Sequence, residues 1–376
     1  MKKLGKKIIA LAAMASMVMT LFVGCGSVKD NAVVFTVGKT EVTADLVKFY
    51  GNYLQPQYEA YMVSMMNYQY EQYYGSSLGM TELDWDTQYT EDATYEEDFK
   101  ENYVMSTLKD LYLAKLHMSE YKVELTDAEV KEIEEAAKTF DKANDEKAKE
   151  KVSANKKLAT EYLTLRTIYE KVNDAILETV DREVDPAEAN QKAIRYTSFA
   201  KTKTDEKGSS VKLSDDEVAK VKKEAEDFLA AAKANGSLET YAKEKEATAT
   251  KENFGADYKD DTALALDDKI YEAANAMTEV GFMELQETDD AFYVVQLESL
   301  YDEEATKTEK ENIIAKRESD KVAEVFEAWE KDTKVVVNEK VWDKIKFGSL
   351  KVEQKEEKKE EKEESKEETS EAETKE

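Results

Sequence analysis

Only two prolines occur in 376 residues, Pro56 and Pro186. A proline inside a helix removes a backbone hydrogen bond and clashes with the preceding turn. A chain this poor in proline is therefore free to run in long helices, and its apolar residues recur at helical spacing over Tyr95 to Glu120, Thr126 to Phe140 and about Asn155 to Thr179. Thr126 and Glu129 have the spacing of a capping box. Pro186, in "DREVDPAEAN", falls where this long-helix pattern stops, and a domain boundary is expected there.

The start of the chain has a different pattern. Lys2, Lys3, Lys6 and Lys7 precede an apolar run from Ile8 to Val23 that is interrupted only by Ser16 and Thr20. A charged segment followed by an apolar run shorter than the ~20 residues of a membrane span reads as a secretory signal. An uncleaved anchor is the competing reading. The run ends in Leu21-Phe22-Val23-Gly24-Cys25, which resembles the bacterial lipobox. That resemblance implies a signal peptide over 1–24, with Cys25 diacylated as the mature N-terminus. It also implies a lipid-anchored protein on the outer face of a bacterial membrane.

Composition removes several classes of function. Cys25 is the only cysteine, so no disulfide framework and no cysteine-ligated metal are expected. The single histidine, His117, rules out triad hydrolysis and His-rich zinc sites; in "LYLAKLHMSE" it reads as a surface or packing residue. With 83 acidic against 54 basic residues the net charge is −29, which argues against a phosphate-backbone partner. No nucleic acid, no metal and no cofactor are expected.

After a short linker, Val33, Phe35 and Val37 alternate, Gly38-Lys39 turns the chain, and Thr43 caps an apolar-periodic run from Leu46: a β-hairpin feeding a helix. That helix continues into "YEAYMVSMMNYQYEQYYGSSLGM". Tyr58, Tyr61, Met62, Met65, Met66 and Gln69 follow helical spacing, so the stretch reads either as an inward stripe or as an adaptable apolar surface. Beyond Lys192 the pattern changes to strand, helix, strand: "AIRYTSFAK", a charged loop, a Ser-capped helix stopped by Asn235-Gly236, "SLETYAKEKE", the loop "ATATKENFGADYKDD", "DDKIYEAANAM" and a last strand "AFYVVQLESL". A long helix from about Lys307 to Lys331, a strand "KVVVNEK" and a short "VWDKIKF" follow. Residues 351–376 hold 12 Glu and 7 Lys with a single Val and read as a disordered or fraying tail.

The opening hairpin-and-helix resembles the SurA and PrsA class of extracytoplasmic chaperones. The order from Lys192 onward resembles the parvulin-type peptidyl-prolyl isomerase domain, with family words falling on Leu238 to Lys243, Ile270 to Met277 and Ala291 to Leu297. The resemblance implies an α+β, mostly helical fold. Residues 25–190 and 304–350 would jointly form a helical chaperone domain, with a parvulin-like α/β domain inserted over 191–303. Trp329, Val335, Val337 and Trp342 would then dock on the N-terminal helices. The family's two catalytic histidine positions fall on Tyr196 and Tyr293, and its apolar proline pocket on Leu266 and Ile270 with Met277 behind. Unfolded exported polypeptides are the implied partners, together with the bilayer through acylated Cys25. The implied function is that of a foldase, its second domain either isomerising X-Pro bonds slowly or serving as a client platform. A holdase with a dead isomerase domain and a transporter's substrate-binding lipoprotein are the alternatives.

Overall fold

The computed structural model describes residues 18–21, 28–206, 208–259 and 264–353. Cys25 and most of the signal segment, like the tail beyond 353, lie outside the described residues. Strand β1 (Val18–Leu21) falls inside the apolar run and pairs antiparallel with Leu350–Glu353 near the other end, so a strand occupies the first residues of the expected tail. The chain divides into two compact units, residues 1–179 with 321–376, and residues 180–320.

The first unit opens with the hairpin β2 (Val33–Val37) and β3 (Thr40–Thr43), turned at Gly38 with φ of 62°. A register shift between Val33 and Phe35 marks a bulge, and Val34 is buried along with Phe35 and Val37. Helix α1 (Ala44–Tyr74) follows, its first turn tied by Asp45, which accepts from the Leu46 N–H at 2.8 Å. It ends at Gly75, whose φ of 71° lets its N–H reach Glu71 O. The helix expected over Tyr95 to Glu120 is instead four segments: α2 (Tyr95–Asp98), a π-helical stretch Phe99–Met105, α3 (Ser106–His117) and a 3-10 turn Met118–Tyr121. The π stretch has a physical reason. Phe99 and Val104, five residues apart, are both fully buried, and the wider turn brings them to one side where α-helical winding would part them.

Helix α4 (Asp127–Ala143) carries the expected Thr126/Glu129 capping box. After the short α5 (Glu146–Lys151), helix α6 (Lys156–Leu177) starts where the Asn155 side chain accepts from the Leu158 N–H at 2.9 Å.

The second unit begins with α7 (Pro186–Ala189) and is built on a four-stranded antiparallel sheet. Its strands are β4 (Lys192–Ala200), β7 (Thr250–Phe254), β8 (Met283–Glu287) and β9 (Ala291–Ser299), in the order β7-β4-β9-β8. A separate hairpin, β5 (Thr202–Thr204) with β6 (Ser210–Lys212), occupies the charged loop. Strand β7 lies in a segment that reads as loop, because "TKENF" has little apolar alternation; pairing along β4, Lys192 against Phe254 through Tyr196 against Thr250, makes it an edge strand. Helices α8 (Asp215–Asn235) and α9 (Leu238–Glu244) cover one face of the sheet through Ala232 and Leu238 on Val294 and Met283. Helix α10 (Asp268–Ala276) covers the other through Ile270, Tyr271 and Ala274 on Ile194, Val295 and Leu297.

Helix α11 (Glu303–Asp332) leads back to the first unit, where β10 (Val335–Val337) joins the N-terminal hairpin antiparallel, Val335 opposite Val37 and Val337 opposite Phe35. The short α12 (Glu339–Trp342) and strand β11 (Leu350–Glu353) complete the chain. The fold is thus α+β and mostly helical, with N- and C-terminal segments sharing one core: Trp329, Trp342, Ile345 and Phe347 pack in the same cluster as Phe35, Leu46 and Phe99. Trp329 stacks on His117, ring centroids 4.6 Å apart at 8°, and donates its indole N–H to Glu120 at 3.2 Å. His117 is therefore a packing residue.

Phe347 enters a notch left by Gly51 on α1; a Cβ there would fall well inside van der Waals distance of the phenyl ring. Replacing a mid-helix glycine by alanine ordinarily stabilises by about 1 kcal/mol. Here Gly51→Ala is expected to destabilise by about 1–3 kcal/mol through overpacking. Urea unfolding of Gly51→Ala, with and without Phe347→Leu to vacate the notch, checks the sign and the cause.

Candidate functional site

The sheet of the second unit decides where the two tyrosines stand. Along the antiparallel β4–β9 pair, Tyr196 lies opposite Val295 and Ser198 opposite Tyr293. Side chains alternate along a strand, so Tyr196 and Tyr293 emerge diagonally on one face. Their ring centroids are 5.8 Å apart at 60°. Both are half-buried and rest on the cluster of Ile194, Phe254, Ile270, Tyr271, Val295 and Leu297, with Leu264 and Leu266 beside them.

The residues expected for the proline pocket converge here, but on two levels. Leu266 is part-exposed, whereas Ile270 is 0 % and Met277 4 % exposed. Ile270 and Met277 are thus core beneath the site, out of a ligand's reach. Tyr271, adjacent to Ile270 on α10, has a role that helical spacing alone does not reveal. Its hydroxyl accepts from the Leu266 N–H at 3.2 Å and donates to Glu252 Oε1 at 3.2 Å, pinning the Leu266 segment to β7. Burial, above all, pushes the Tyr271 phenol up to about 12. The Tyr293 phenol is raised as well, by burial first and then by Tyr196.

Chemically this is a pair of phenols over an apolar floor. A phenol can donate to or accept from an amide, but neither tyrosine offers an imidazole's proton exchange near neutral pH. Among the described residues neither hydroxyl has a hydrogen-bond partner, and no group of three or more His, Cys, Asp or Glu could hold a metal ion.

The tyrosine- and methionine-rich end of α1 divides between the two readings open to it. Tyr58 and Met62 are buried, the Tyr58 hydroxyl donating to Asp98 Oδ2 at 3.0 Å, and the Tyr95 hydroxyl reaches Met66 Sδ at 3.4 Å. Tyr61 and Tyr68, seven residues apart and so on one helix face, are 60 % and 63 % exposed, while Tyr73 and Tyr74 are 85 % and 71 % exposed. Tyr70 and Tyr74 lean together at 4.4 Å. Tyr58 and Met62 anchor the helix, and the exposed tyrosines present aromatic surface to solvent.

No family model matches the chain, and the search of curated proteins likewise finds no match. Among solved structures it is similar to a SurA-like chaperone of Campylobacter jejuni, at 9% identity over 82% of this chain and 99% of the other, with a TM-score of 0.26. It is also similar to the foldase protein PrsA of Lactococcus lactis, at 12% identity over 83% and 96% with a TM-score of 0.28. A third is the peptidylprolyl isomerase PrsA of Bacillus cereus, at 20% identity over 68% and 95% with a TM-score of 0.27. The structural neighbours of this chain are thus SurA-like chaperones and PrsA foldases.

Because each hydroxyl of the tyrosine pair is free of described partners, Tyr196→Phe and Tyr293→Phe are each expected to change unfolding free energy by no more than about 0.5 kcal/mol. Chemical denaturation of both variants beside the parent checks this.

Proposed function

We propose that the protein is a lipid-anchored, extracytoplasmic folding factor that holds unfolded exported polypeptides, with at most slow isomerisation of X-Pro bonds in its second unit. The observation that carries this reading is the set of exposed tyrosines at the end of α1: Tyr61, Tyr68, Tyr73 and Tyr74. Large apolar side chains gathered in one region of a surface mark a site of interaction. Tyrosine suits a varied clientele, since its ring covers apolar surface while its hydroxyl accepts whatever polar group lies alongside. The lipobox resemblance ending at Cys25 supports the anchor and the location. No described helix is long and apolar enough to cross a membrane; on the lipobox reading retention depends on acyl chains.

The second unit supports a binding platform better than an efficient catalyst. Isomerisation must lower a barrier of about 18–20 kcal/mol by gripping a twisted amide between aimed hydrogen bonds and an apolar wall. Tyr196 and Tyr293 supply a polar floor, yet of the proposed wall only Leu266 is accessible. The transporter alternative fits less well. Its repeated strand–helix units would place strands parallel, whereas the described strands pair antiparallel.

In an aggregation-suppression assay with an unfolded client, Tyr61→Ser/Tyr68→Ser/Tyr74→Ser is expected to require roughly fivefold or more protein for the same protection. Unchanged protection would overturn the holding surface. In a prolyl-isomerisation assay on an X-Pro peptide the parent is expected to turn over slowly or undetectably, and Tyr196→Phe to leave client protection intact; robust turnover that collapses in Tyr196→Phe would show a working tyrosine-based isomerase. Cys25→Ala is expected to release the protein from membranes under a salt wash, and continued pelleting would refute lipid anchoring.

A further inference from the structure

The first unit contains a cavity of about 340 Å³ between α1, α3 and α6 that neither the exposed tyrosines nor the sheet site uses. Its walls are aromatic. The Tyr50 and Tyr53 rings lie 5.3 and 6.1 Å from that of Tyr162, with Tyr169 also in the lining. Burial raises the phenols of Tyr50, Tyr53, Tyr162 and Tyr169, so all four remain neutral at physiological pH.

Two kinds of charge face this space. Arg166 is met inside the site by Glu170, its Nε donating at 3.2 Å. Asp110 is not met: it is half-buried and has no hydrogen bond or ion pair among the described residues. The Lys109 beside it on α3 is engaged with Glu330 of α11 at 2.7 Å. A desolvated carboxylate without a partner is costly, and the cost shows in its protonation, for burial pushes Asp110 up to about 6. Arg166 also engages the Tyr53 and Tyr162 hydroxyls, so its charge is taken up within the site, whereas around neutrality Asp110 adds a negative charge to the tyrosine-lined cavity that Lys109 offsets only in part.

We infer that this cavity binds an alkylammonium or guanidinium cation, with Asp110 as counter-ion and the tyrosine rings around its apolar stem. Ring faces attract cations, and a desolvated cation–π contact adds to the ion pair. Long basic side chains are suited to such a place, since their stems bury while the head seeks a charge. A volume of this size lies near the lower end of ligand pockets, about 300–1,000 Å³, and admits one long side chain. An anion would meet Asp110 and a chain of net charge −29. If the cation comes from a lysine or arginine of a client, the site deepens the folding-factor reading and rests on it. A free small amine would share the chemistry without that dependence.

The test uses the full chain with four probes followed by calorimetry at pH 7.5: hexylamine, hexan-1-ol of matching length, acetyl-Gly-Gly-Lys-Gly-Gly-amide, and the same peptide with norleucine for lysine. Hexylamine is expected to bind at least about tenfold more tightly than the alcohol. Asp110→Asn, which keeps the shape and removes the charge, is expected to erase that preference without lowering the melting temperature. Tyr53→Leu should weaken amine binding several-fold with the carboxylate still in place. Lowering the pH through about 6 should weaken amine binding in the parent, as protons occupy Asp110; Lys109 on α3, Glu330 on α11, Tyr162, Arg166, Tyr169 and Glu170 on α6 and Tyr50 and Tyr53 on α1 are the other groups around it.

Preference for the lysine peptide over norleucine, lost in Asp110→Asn, identifies a client side chain as the source. Amine binding without peptide binding identifies a small amine instead. Equal binding of amine and alcohol, or an unchanged amine affinity in Asp110→Asn, overturns the site. Failure of the parent to suppress aggregation would refute the folding-factor reading and leave the amine result standing.

Discussion

The first unit depends on the return of the chain's end onto its beginning. Strand β10 completes the N-terminal hairpin, and the Gly38 and Asn338 N–H groups extend that ladder to Lys334 O and Val34 O at 2.9 and 2.8 Å. A second set of bonds fixes the segment that follows. Gln55, fully buried on α1, donates to Leu350 O and accepts from the Gly348 N–H, while Glu96 accepts from the Phe347 N–H at 2.8 Å. Backbone groups of an irregular segment would be stranded in an apolar core without such partners. Gln55 and Glu96 thus allow Trp342, Ile345 and Phe347 to be buried, each worth on the order of 1.5–3 kcal/mol of apolar transfer.

Charge plays a different part in the two kinds of place where it occurs. Most ion pairs lie at the surface, including the i,i+4 pairs Lys316–Asp320 and Lys223–Asp227, where solvent screens them and each contributes little. Buried cations are answered one by one. Lys100 donates to Trp342 O at 3.1 Å with its ammonium 4.8 Å from that indole's centroid, and burial lowers its pKa. Against that background, Asp110 stands out because no described residue makes a hydrogen bond or ion pair with it, Lys109 acting on it only at longer range.

The second unit shows how one sheet serves two neighbours. Odd-numbered residues of β9, from Tyr293 through Val295 to Leu297, face α10, while Val294 faces α8 and α9. The diagonal meeting of Tyr196 and Tyr293 is a product of that alternation and of the β4–β9 register. A slip of one residue would send one tyrosine to the other face, so the site exists only because the register is fixed by burial on both sides.

Local signals in the sequence determined where most helices start and what kind of segment follows Pro186. Thr126 with Glu129, Ser214 with Glu217, and Asn155 announce helix starts through side chains that satisfy free N–H groups next to them in the chain. Asn235-Gly236 announces a stop, because Gly236 takes a φ of 87°. The candidate site was half legible: alternation and helical spacing place Tyr196, Tyr293, Leu266, Ile270 and Met277 in one unit. Only packing decides that Ile270 and Met277 lie beneath the surface and that Tyr271 tethers Leu266. The π stretch at Phe99–Met105, the edge strand β7, the splitting of the α1 tyrosines between core and solvent, and the meeting of Asp110 with Tyr50, Tyr53 and Tyr162 were likewise decided by tertiary structure. The physical reason is the range of the forces: caps and turns act over three or four residues, whereas burial and strand pairing join residues tens to hundreds of positions apart, and no local pattern records which of them will meet.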